Sequence, residues 1–200
     1  MPKTSVKTSS TESLEESHIE PGQKPDSLLA PEYGKFFIVE VEDMIKMMNL
    51  PLSPVKAHAH TILYLTQGSA EMTIDNTLYS IKQKECLVVQ AGKVFSIDYV
   101  DVNNSKGYMV TFHNDIIAGK TGKRELSNGF DFLTAQDNPK ISFDNNAAIY
   151  ILTLLRRIFD DYSDNGLKHL TLIQSYFTTL LSEIKKSYTP LELRKKIKKN

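Results

Sequence analysis

The sequence lacks several features that would place it in a specialised class of protein. Its 200 residues include a single cysteine, Cys86, and one cysteine cannot form the internal disulfide framework of a secreted domain. The 24 basic residues are balanced by 24 acidic ones, so the chain lacks the basic excess of a nucleic-acid-binding protein. No apolar run approaches the roughly 18 residues of a membrane span, and the N-terminus has no apolar signal-peptide core. We therefore expect a soluble, cytoplasmic protein without membrane contact.

The first part of the chain is poor in residues that could build a core. Residues 1–30 are rich in Ser, Thr, Glu, Lys and Pro and contain no aromatic side chain, which predicts a disordered tail. The apolar residues 36–39 then predict an opening strand. Pro51 and Pro54 follow, and because proline cannot donate a ladder hydrogen bond, we expect no regular strand around them.

Residues 58–112 have the pattern of an all-β domain. Six short apolar runs are separated by turn residues at intervals of about eight to twelve positions, which is typical of a sandwich or barrel. Asp75 and Asn76 tolerate the backbone angles of a tight turn, so this pair predicts a hairpin. The central part of the chain is thus predicted to be mainly β.

Two amphipathic helices are predicted after residue 144. In the first, apolar residues recur at helical spacing as far as Tyr162, and residues 163–166 break the pattern. The second helix returns along the first as an antiparallel hairpin. It carries an apolar seam made of Leu170, Ile173, Phe177, Leu180 and Ile184, and a flanking row made of Leu172, Tyr176 and Leu181. Two apolar rows exceed what docking onto one β-domain would use, so we predict that the seam forms a homodimer interface; the alternative is that both rows are core.

His58 and His60 are the clearest candidates for a functional site. On a strand, residues i and i+2 point to the same face, so the two imidazoles could bind one cation. A zinc or iron site normally has three protein ligands or more, and His113 is the only further histidine nearby in sequence. The chain shows no Ser-His-Asp arrangement and no glycine-rich phosphate loop. Cys86 lies in an apolar strand pattern, which favours a buried thiol.

The β-rich stretch resembles a cupin barrel, the double-stranded β-helix. His58, His60 and Gly68 match the first motif of metal-binding cupins. The glutamate ligand of that motif falls on Tyr64 or Leu65 in this chain, and neither residue is a metal ligand of the same kind.

The second cupin motif is matched only in part. Lys84 stands at its glycine, Glu85 at its aspartate, and Gly92 holds its turn. Phe95 stands where the motif has its histidine ligand. Two of the four ligands that the resemblance implies are therefore missing, so we expect neither a functional metal nor another cofactor.

Beyond the barrel, the order of elements resembles the N-terminal half of AraC-type transcription regulators. A Phe-x-x-Asp-Ile-Ile step at residues 112–117 and a Gly-Phe-Asp-Phe-Leu segment at residues 129–133 precede the helical hairpin. The resemblance implies that the barrel senses a small metabolite, often a sugar, and that the helices mediate dimerisation. It also implies that a separate domain with two helix-turn-helix units binds DNA. The ten residues after Pro190 cannot hold such a domain.

These expectations divide the chain into four parts. Residues 1–30 are the disordered tail, 31–145 the cupin-like sensor barrel, 146–188 the dimerisation hairpin, and 189–200 a basic linker toward a DNA-binding domain that this chain lacks. We expect an effector-sensing homodimer that is not an enzyme and that reaches DNA only through that further domain. The alternative is a metal-dependent cupin enzyme, a dioxygenase or isomerase. A third possibility is a pure dimerisation module with a solid barrel.

Strand alternation places the expected ligand pocket inside the barrel. With the two histidines of the His-Ala-His pair facing inward, the following strand, the next one and the opposite sheet should supply the remaining contacts. The predicted ligand-binding residues are His58, His60, Tyr64, Met72, Phe95 and Tyr99. The rings of Phe95 and Tyr99 could stack on a sugar. The open alternative is a barrel packed solid by its own side chains.

Overall fold

The described part of the chain forms two five-stranded sheets followed by a helical hairpin. The computed structural model describes residues 7–9, 35–118, 129–134 and 138–188. The strands are β1 (Lys7–Ser9), β2 (Phe36–Glu40), β3 (Leu52–Ala57), β4 (His60–Gln67), β5 (Ser69–Ile74), β6 (Thr77–Lys82), β7 (Glu85–Val89), β8 (Val94–Val100), β9 (Lys106–Phe112) and β10 (Lys140–Ser142). The helices are α1 (Val41–Met47), α2 (Asp115–Ala118), α3 (Asn145–Asn165) and α4 (Leu170–Ser187), with a 3-10 turn at Asp131–Leu133.

The chain passes back and forth between the two sheets, as in a double-stranded β-helix. The first sheet has the strand order β1-β3-β8-β5-β6, and the second has the order β10-β7-β4-β9-β2. From β3 to β9 every connection except the β5–β6 hairpin therefore crosses from one sheet to the other. Every pairing other than that of β1 with β3 is antiparallel. The predicted class, a mainly β cupin-like barrel followed by a helical hairpin, is confirmed.

The turn between β5 and β6 is the one that its sequence predicts. Asp75 and Asn76 have φ angles of 45° and 68°, and the flanking Ile74 and Thr77 are paired across the hairpin. Positive φ at both central residues is the signature of a type I′ turn, whose twist matches that of the strands. The predicted hairpin is confirmed.

A strand, β3, passes through Pro54, but its ladder is irregular at that residue, as predicted. The register of β3 against β8 shifts between Leu52 and Val55, and Pro54 lies exposed within that irregularity. At a bulge the ladder is interrupted, so a proline without an N–H removes no hydrogen bond between the strands. This explains how β3 tolerates Pro54. The opening strand predicted at residues 36–39 is present as β2.

The helical hairpin begins and ends where the sequence signals it. The Asp144 carboxylate caps α3 by accepting a hydrogen bond from the backbone N–H of Ala147 at 2.8 Å. The helix ends at Asn165, and Gly166 follows with φ 58°, a backbone angle that glycine adopts without strain. The second helix, α4, then packs along the first, as predicted.

The apolar seam of α4 packs on the outer face of the second sheet. The ring centroid of Phe177 lies 5.2 Å from that of Phe36 on β2 and 4.7 Å from that of Phe112 on β9. The seam is buried within a single chain, so its predicted role as the dimer interface is corrected. These residues attach the helix to their own barrel: Ile173, Phe177, Leu180 and Ile184 are fully buried and Leu170 is partly buried. A dimer through the helices would need other side chains.

The predicted tail and linker lie largely outside the described residues. Within the tail, Lys7–Ser9 pairs in parallel with residues 55–57 of β3. The disorder of residues 1–30 and the linker role of residues 189–200 stay predictions. Among the described helices, none is long and apolar enough to cross a membrane.

Candidate functional site

The face of β4 that carries His60 and Tyr64 points toward the helical hairpin. His60 is paired with Phe112 on the neighbouring strand, so both project to the same side of the sheet, and Phe112 contacts Phe177 of α4. Farther along the same face, the Tyr64 hydroxyl lies 3.4 Å from the carbonyl oxygen of Ala148 on α3. The predicted inward orientation of His60 and Tyr64 is therefore wrong. Because helices cover the outer face, residues 60–65 are buried on both sides, and alternation of polarity could not show which side faces the barrel.

The two histidines of the His-Ala-His pair do not share a face. His58 is exposed in the bend before β4, whereas His60 is the first residue of the strand and is buried. The period of two holds only within a regular strand, which is why the predicted pairing fails. The His60 ring stacks on Phe112 with a centroid distance of 5.4 Å, and its Nδ1 accepts a hydrogen bond from the backbone N–H of Ala91 at 3.3 Å.

The environment of His60 favours a neutral imidazole. Burial lowers the pKa of His60, a hydrogen bond with Asn114 acts against that effect, and the neighbouring His113 adds to it. A neutral ring whose Nδ1 accepts a hydrogen bond carries its proton on Nε2. His60 can thus accept a hydrogen bond from Ala91 through Nδ1 and donate one through Nε2 beneath the hairpin.

The residues at this end of the barrel do not fit a cupin metal centre. Within the described ranges, no three His, Cys, Asp or Glu side chains come together as metal ligands. His58 and His60 diverge, and one ring nitrogen of His60 already accepts a hydrogen bond. Cys86 is fully buried, and burial raises the pKa of its thiol, so no thiolate is offered to a metal or substrate.

Met72 and Phe95 are buried in the first sheet, but Tyr99 on the same sheet is 51% exposed. The ladder between β5 and β8 skips Asp98 between two successive residue pairs. This bulge reverses the alternation of side chains along β8, so Tyr99 points to solvent. The prediction that Tyr99 faces the barrel interior is wrong for this reason.

The six predicted ligand contacts do not converge on one pocket. His58 and Tyr99 are exposed, His60 and Tyr64 face the hairpin, and Met72 and Phe95 are buried in the first sheet. The interior side chains belong to one continuous hydrophobic core that also includes the hairpin. Whether any of the six binds a ligand stays a prediction, whereas their shared position inside the barrel is overturned.

A cleft lies between the barrel and the first turns of α3. Its volume is about 430 Å³, within the range of small-molecule pockets, and it opens to solvent. The barrel contributes Tyr64, Thr66, Gln83 and Lys84, and α3 contributes Asn145, Ala148, Ile149 and Leu152. Tyr64 is the one predicted contact residue in this lining.

Beyond Asn145, the helical wall of the cleft is apolar. Ala148 and Leu152 are one helical turn apart and share a face, and Ile149 beside them is 62% exposed. Beneath them Tyr64 is buried, and its ring packs against that of Phe143 with a centroid distance of 5.8 Å. Burial raises the pKa of Tyr64 to about 12, so the hydroxyl stays protonated and acts as a hydrogen-bond donor.

Lys84 is fixed at the rim of the cleft. Its backbone N–H donates to the carbonyl oxygen of Leu65, and its carbonyl oxygen accepts from the N–H of Phe143, both at 2.9 Å. Its Nζ donates to Asn145 Oδ1 at 2.7 Å. The backbone at Lys84 has φ 62°, which explains why a glycine suits the equivalent position of the cupin motif.

The sequence pattern did not predict Lys84, Asn145, Ile149 or Leu152 as site residues. Ile149 and Leu152 lie outside the apolar positions from which the first helix was predicted, so they had no expected packing partner. A lysine at a glycine position of the motif was the one available signal, because such a position commonly requires positive φ. The cleft itself arises from the docking of α3, which no local pattern describes.

Comparison with known proteins found similarity only at low sequence identity. No model of a protein family matches the chain, and no curated protein matches it. Among solved structures, the chain is similar to the cupin domain of Cnp3 from Schizosaccharomyces pombe, at 17% identity over 44% of this chain and 64% of that one, with a TM-score of 0.32.

The other similar structures include AraC-like regulators. ToxT from Vibrio cholerae, bound to (E)-4-(8-methylnaphthalen-1-yl)but-3-enoic acid, is 10% identical over 77% of this chain and 57% of that one, with a TM-score of 0.45. The AraC-like transcriptional activator CuxR is 9% identical over 74% of this chain and 49% of that one, with a TM-score of 0.37. The chain thus spans about half to two thirds of the length of these proteins. Cupin domains and AraC-like regulators are the two groups that the sequence resembles.

Proposed function

We propose that this chain is the effector-sensing part of a transcription regulator and that its effector binds in the cleft between the barrel and α3. The observation that supports this most is the position of the cleft, since one wall belongs to the barrel and the other to α3. A molecule in the cleft would contact both parts at once. A molecule inside the barrel would reach the hairpin only through the intervening sheet.

Two hydrogen bonds make the cleft a suitable place for coupling. The Tyr64 hydroxyl donates to Ala148, and Lys84 Nζ donates to Asn145, so both bonds join the barrel to the first turn of α3. All four residues line the cleft, so an occupant would compete with these bonds or reinforce them. An effector changes the position of the hairpin only if it binds one arrangement better than another.

The remaining parts of the proposal concern partners. We propose a homodimer formed by the outward face of the hairpin, where Tyr150 is 62% exposed and Leu172 is 36% exposed, because the inward seam is already covered. DNA would be contacted by a domain outside this chain. In this proposal the protein acts in the cytoplasm and catalyses no reaction.

Methyl-resolved NMR tests the location of the effector site. Octanol and octanoate serve as probes, both used as monomers in solution. Binding in the cleft is expected to shift the methyl signals of Ile149 and Leu152 while those of Ile97, buried on β8, stay unchanged. Shifts centred on Ile97 would place the site inside the barrel, and no shift with any tested compound would favour a pure dimerisation module.

Elemental analysis of the purified protein tests the enzyme alternative. A metal-dependent dioxygenase or isomerase would carry near-stoichiometric iron, manganese, nickel or zinc. We expect none of these at stoichiometric level, because the donor atoms near the His-Ala-His pair do not converge. A stoichiometric metal that disappears in a His58→Ala, His60→Ala double variant would overturn the sensor-only proposal.

A further inference from the structure

The cleft contains one cationic group and no acidic residue among the side chains that line it. We propose that the effector is an amphipathic monocarboxylate: its carboxylate pairs with Lys84 Nζ, and its apolar body lies against Ala148, Ile149 and Leu152. This inference rests on the proposed function, because it takes the cleft to be the effector site.

The charge of Lys84 has no acidic partner among the described residues. The ion pairs formed in these ranges do not include Lys84, and its Nζ donates to a neutral amide oxygen of Asn145. An ammonium group has three donors, so the hydrogen bond to Asn145 leaves capacity for a carboxylate. A carboxylate would therefore replace a neutral acceptor with a charged one, and charge-assisted hydrogen bonds are the stronger kind.

The acidic residues beside the cleft are already committed elsewhere. The Glu85 carboxylate pairs with Lys140 Nζ at 2.8 Å and accepts a hydrogen bond from the Ser142 hydroxyl at 3.1 Å. The Asp144 carboxylate caps α3. Neither carboxylate pairs with Lys84, so within the described ranges its charge is left for a ligand from solution.

The backbone of Lys84 is held in place from both sides. Its N–H and carbonyl groups bond to Leu65 on β4 and to Phe143 before α3. Positive φ in a residue other than glycine costs free energy and is maintained only where the surrounding structure enforces it. The charged side chain thus starts from a fixed point at the rim, which reduces the entropy lost when it pairs with a ligand.

The lining also favours a monoanion over a phosphate. Phosphate sites usually combine several donors, such as arginine forks, further cations or a row of backbone N–H groups. Here one lysine faces an apolar helical wall, and the other polar side chains, Thr66, Gln83 and Asn145, are neutral. This composition suits a single carboxylate on an apolar body.

Matched probes test the inference. Octanoate, octanol and octylamine share one chain and differ in the head group, and their affinities are measured from the methyl shifts of Ile149 and Leu152 at pH 7.5. We expect octanoate to bind about tenfold more tightly than octanol, as a charge-assisted pair predicts, and octylamine to bind more weakly than octanol. The preference for octanoate should fall as salt concentration rises.

Three variants test whether the preference for octanoate depends on the charge of Lys84 and not on a change in the fold. Lys84→Asn removes the charge with a residue that tolerates positive φ, and we expect it to bring octanoate within about twofold of octanol. Lys84→Arg keeps the charge and should keep most of the preference. Lys168→Asn, beyond the opposite end of α3, is the control for the loss of one positive charge. It should keep the preference for octanoate that the natural chain shows. Thermal melts confirm that each variant is folded.

The outcomes separate this inference from the proposal on which it rests. Equal affinity for octanoate and octanol in the natural chain, or an unchanged preference in Lys84→Asn, overturns the carboxylate assignment and leaves the cleft as the effector site. Absence of shifts at Ile149 and Leu152 with all three compounds overturns both.

Discussion

The hydroxyl of Tyr64 donates a hydrogen bond to the carbonyl oxygen of Ala148 across 3.4 Å, joining the central strand of the second sheet to the first turn of α3. The bond is buried, and the Tyr64 ring also packs against Phe143, which immediately precedes the helix cap. Tyr64 is therefore both the floor of the cleft and a connection between the barrel and the hairpin. Its position indicates how a change in the cleft could reach the helices.

Replacing Tyr64 separates the hydrogen bond from the packing of the ring. Tyr64→Phe should lower the free energy of unfolding by less than about 1 kcal/mol, since the bond is long and the ring remains. Tyr64→Ala should cost about 3–5 kcal/mol, the usual effect of removing a buried aromatic ring. Urea unfolding measures both, and Tyr150→Phe on the exposed side of α3 is the control. Equal losses for the two Tyr64 variants would show that the hydrogen bond dominates, contrary to this estimate.

Local signals predicted local structure well. Asp75 and Asn76 form the expected hairpin turn, Asp144 caps α3, and Gly166 follows its last residue. In each case the signal and the structure involve neighbours in the chain, so a few residues are enough to determine the outcome. The order from β4 to β9 and the helical hairpin followed from the same kind of evidence, whereas the helix α1 at Val41–Met47 was not predicted.

The orientation of the predicted site residues depends on contacts between distant parts of the chain. Tyr99 points outward because the ladder skips Asp98, whose carboxylate accepts hydrogen bonds from the hydroxyls of Thr73 and Ser96, each at 2.8 Å. His60 faces the hairpin because α4 docks on a sheet that is apolar on both sides. Neither a bulge nor a docked helix changes the polarity pattern of the strand, so alternation alone misplaced both side chains.

The buried His60 and the half-buried His113 predict a loss of stability in mild acid. Burial lowers the pKa of both His60 and His113 in the folded protein. Below the unfolded value of about 6.5 the unfolded chain binds protons that the folded chain does not, so the free energy of unfolding falls as pH falls. Each histidine contributes a slope of at most about 1.4 kcal/mol per pH unit.

Urea unfolding between pH 7.5 and 5.5 measures this slope. His60→Asn, whose amide oxygen can replace Nδ1 as an acceptor, should reduce the slope, whatever its effect on stability at pH 7.5. Thr171→Asn introduces the same residue at an exposed position of α4 without removing a titratable group, and it should leave the slope as in the natural chain. If both variants gave the natural slope, His60 would not be responsible for the acid sensitivity.

The seam of α4 predicts a strong dependence of stability on Phe177. Its side chain is fully buried and contacts the rings of Phe36 and Phe112. Phe177→Ala should lower the free energy of unfolding by about 3–5 kcal/mol, because it leaves a cavity between helix and sheet. Leu172→Ala, at the exposed member of the flanking row whose Leu181 is buried, should cost less than about 1 kcal/mol. Thermal or urea unfolding of the dilute protein compares them, and similar losses would contradict the assignment of the two rows.

The outward face of the hairpin is expected to carry the homodimer. Leu172→Arg or Tyr150→Arg should weaken the dimer at least about tenfold, since each places a charge where an apolar contact is proposed. Sedimentation equilibrium measures the dissociation constant, and unfolding curves should show little loss of monomer stability. Leu78→Arg is the matched control, because Leu78 is an apolar residue, 59% exposed, on β6 of the first sheet. Dissociation by Leu78→Arg, or a dimer that survives both helical variants, would move the interface away from the hairpin.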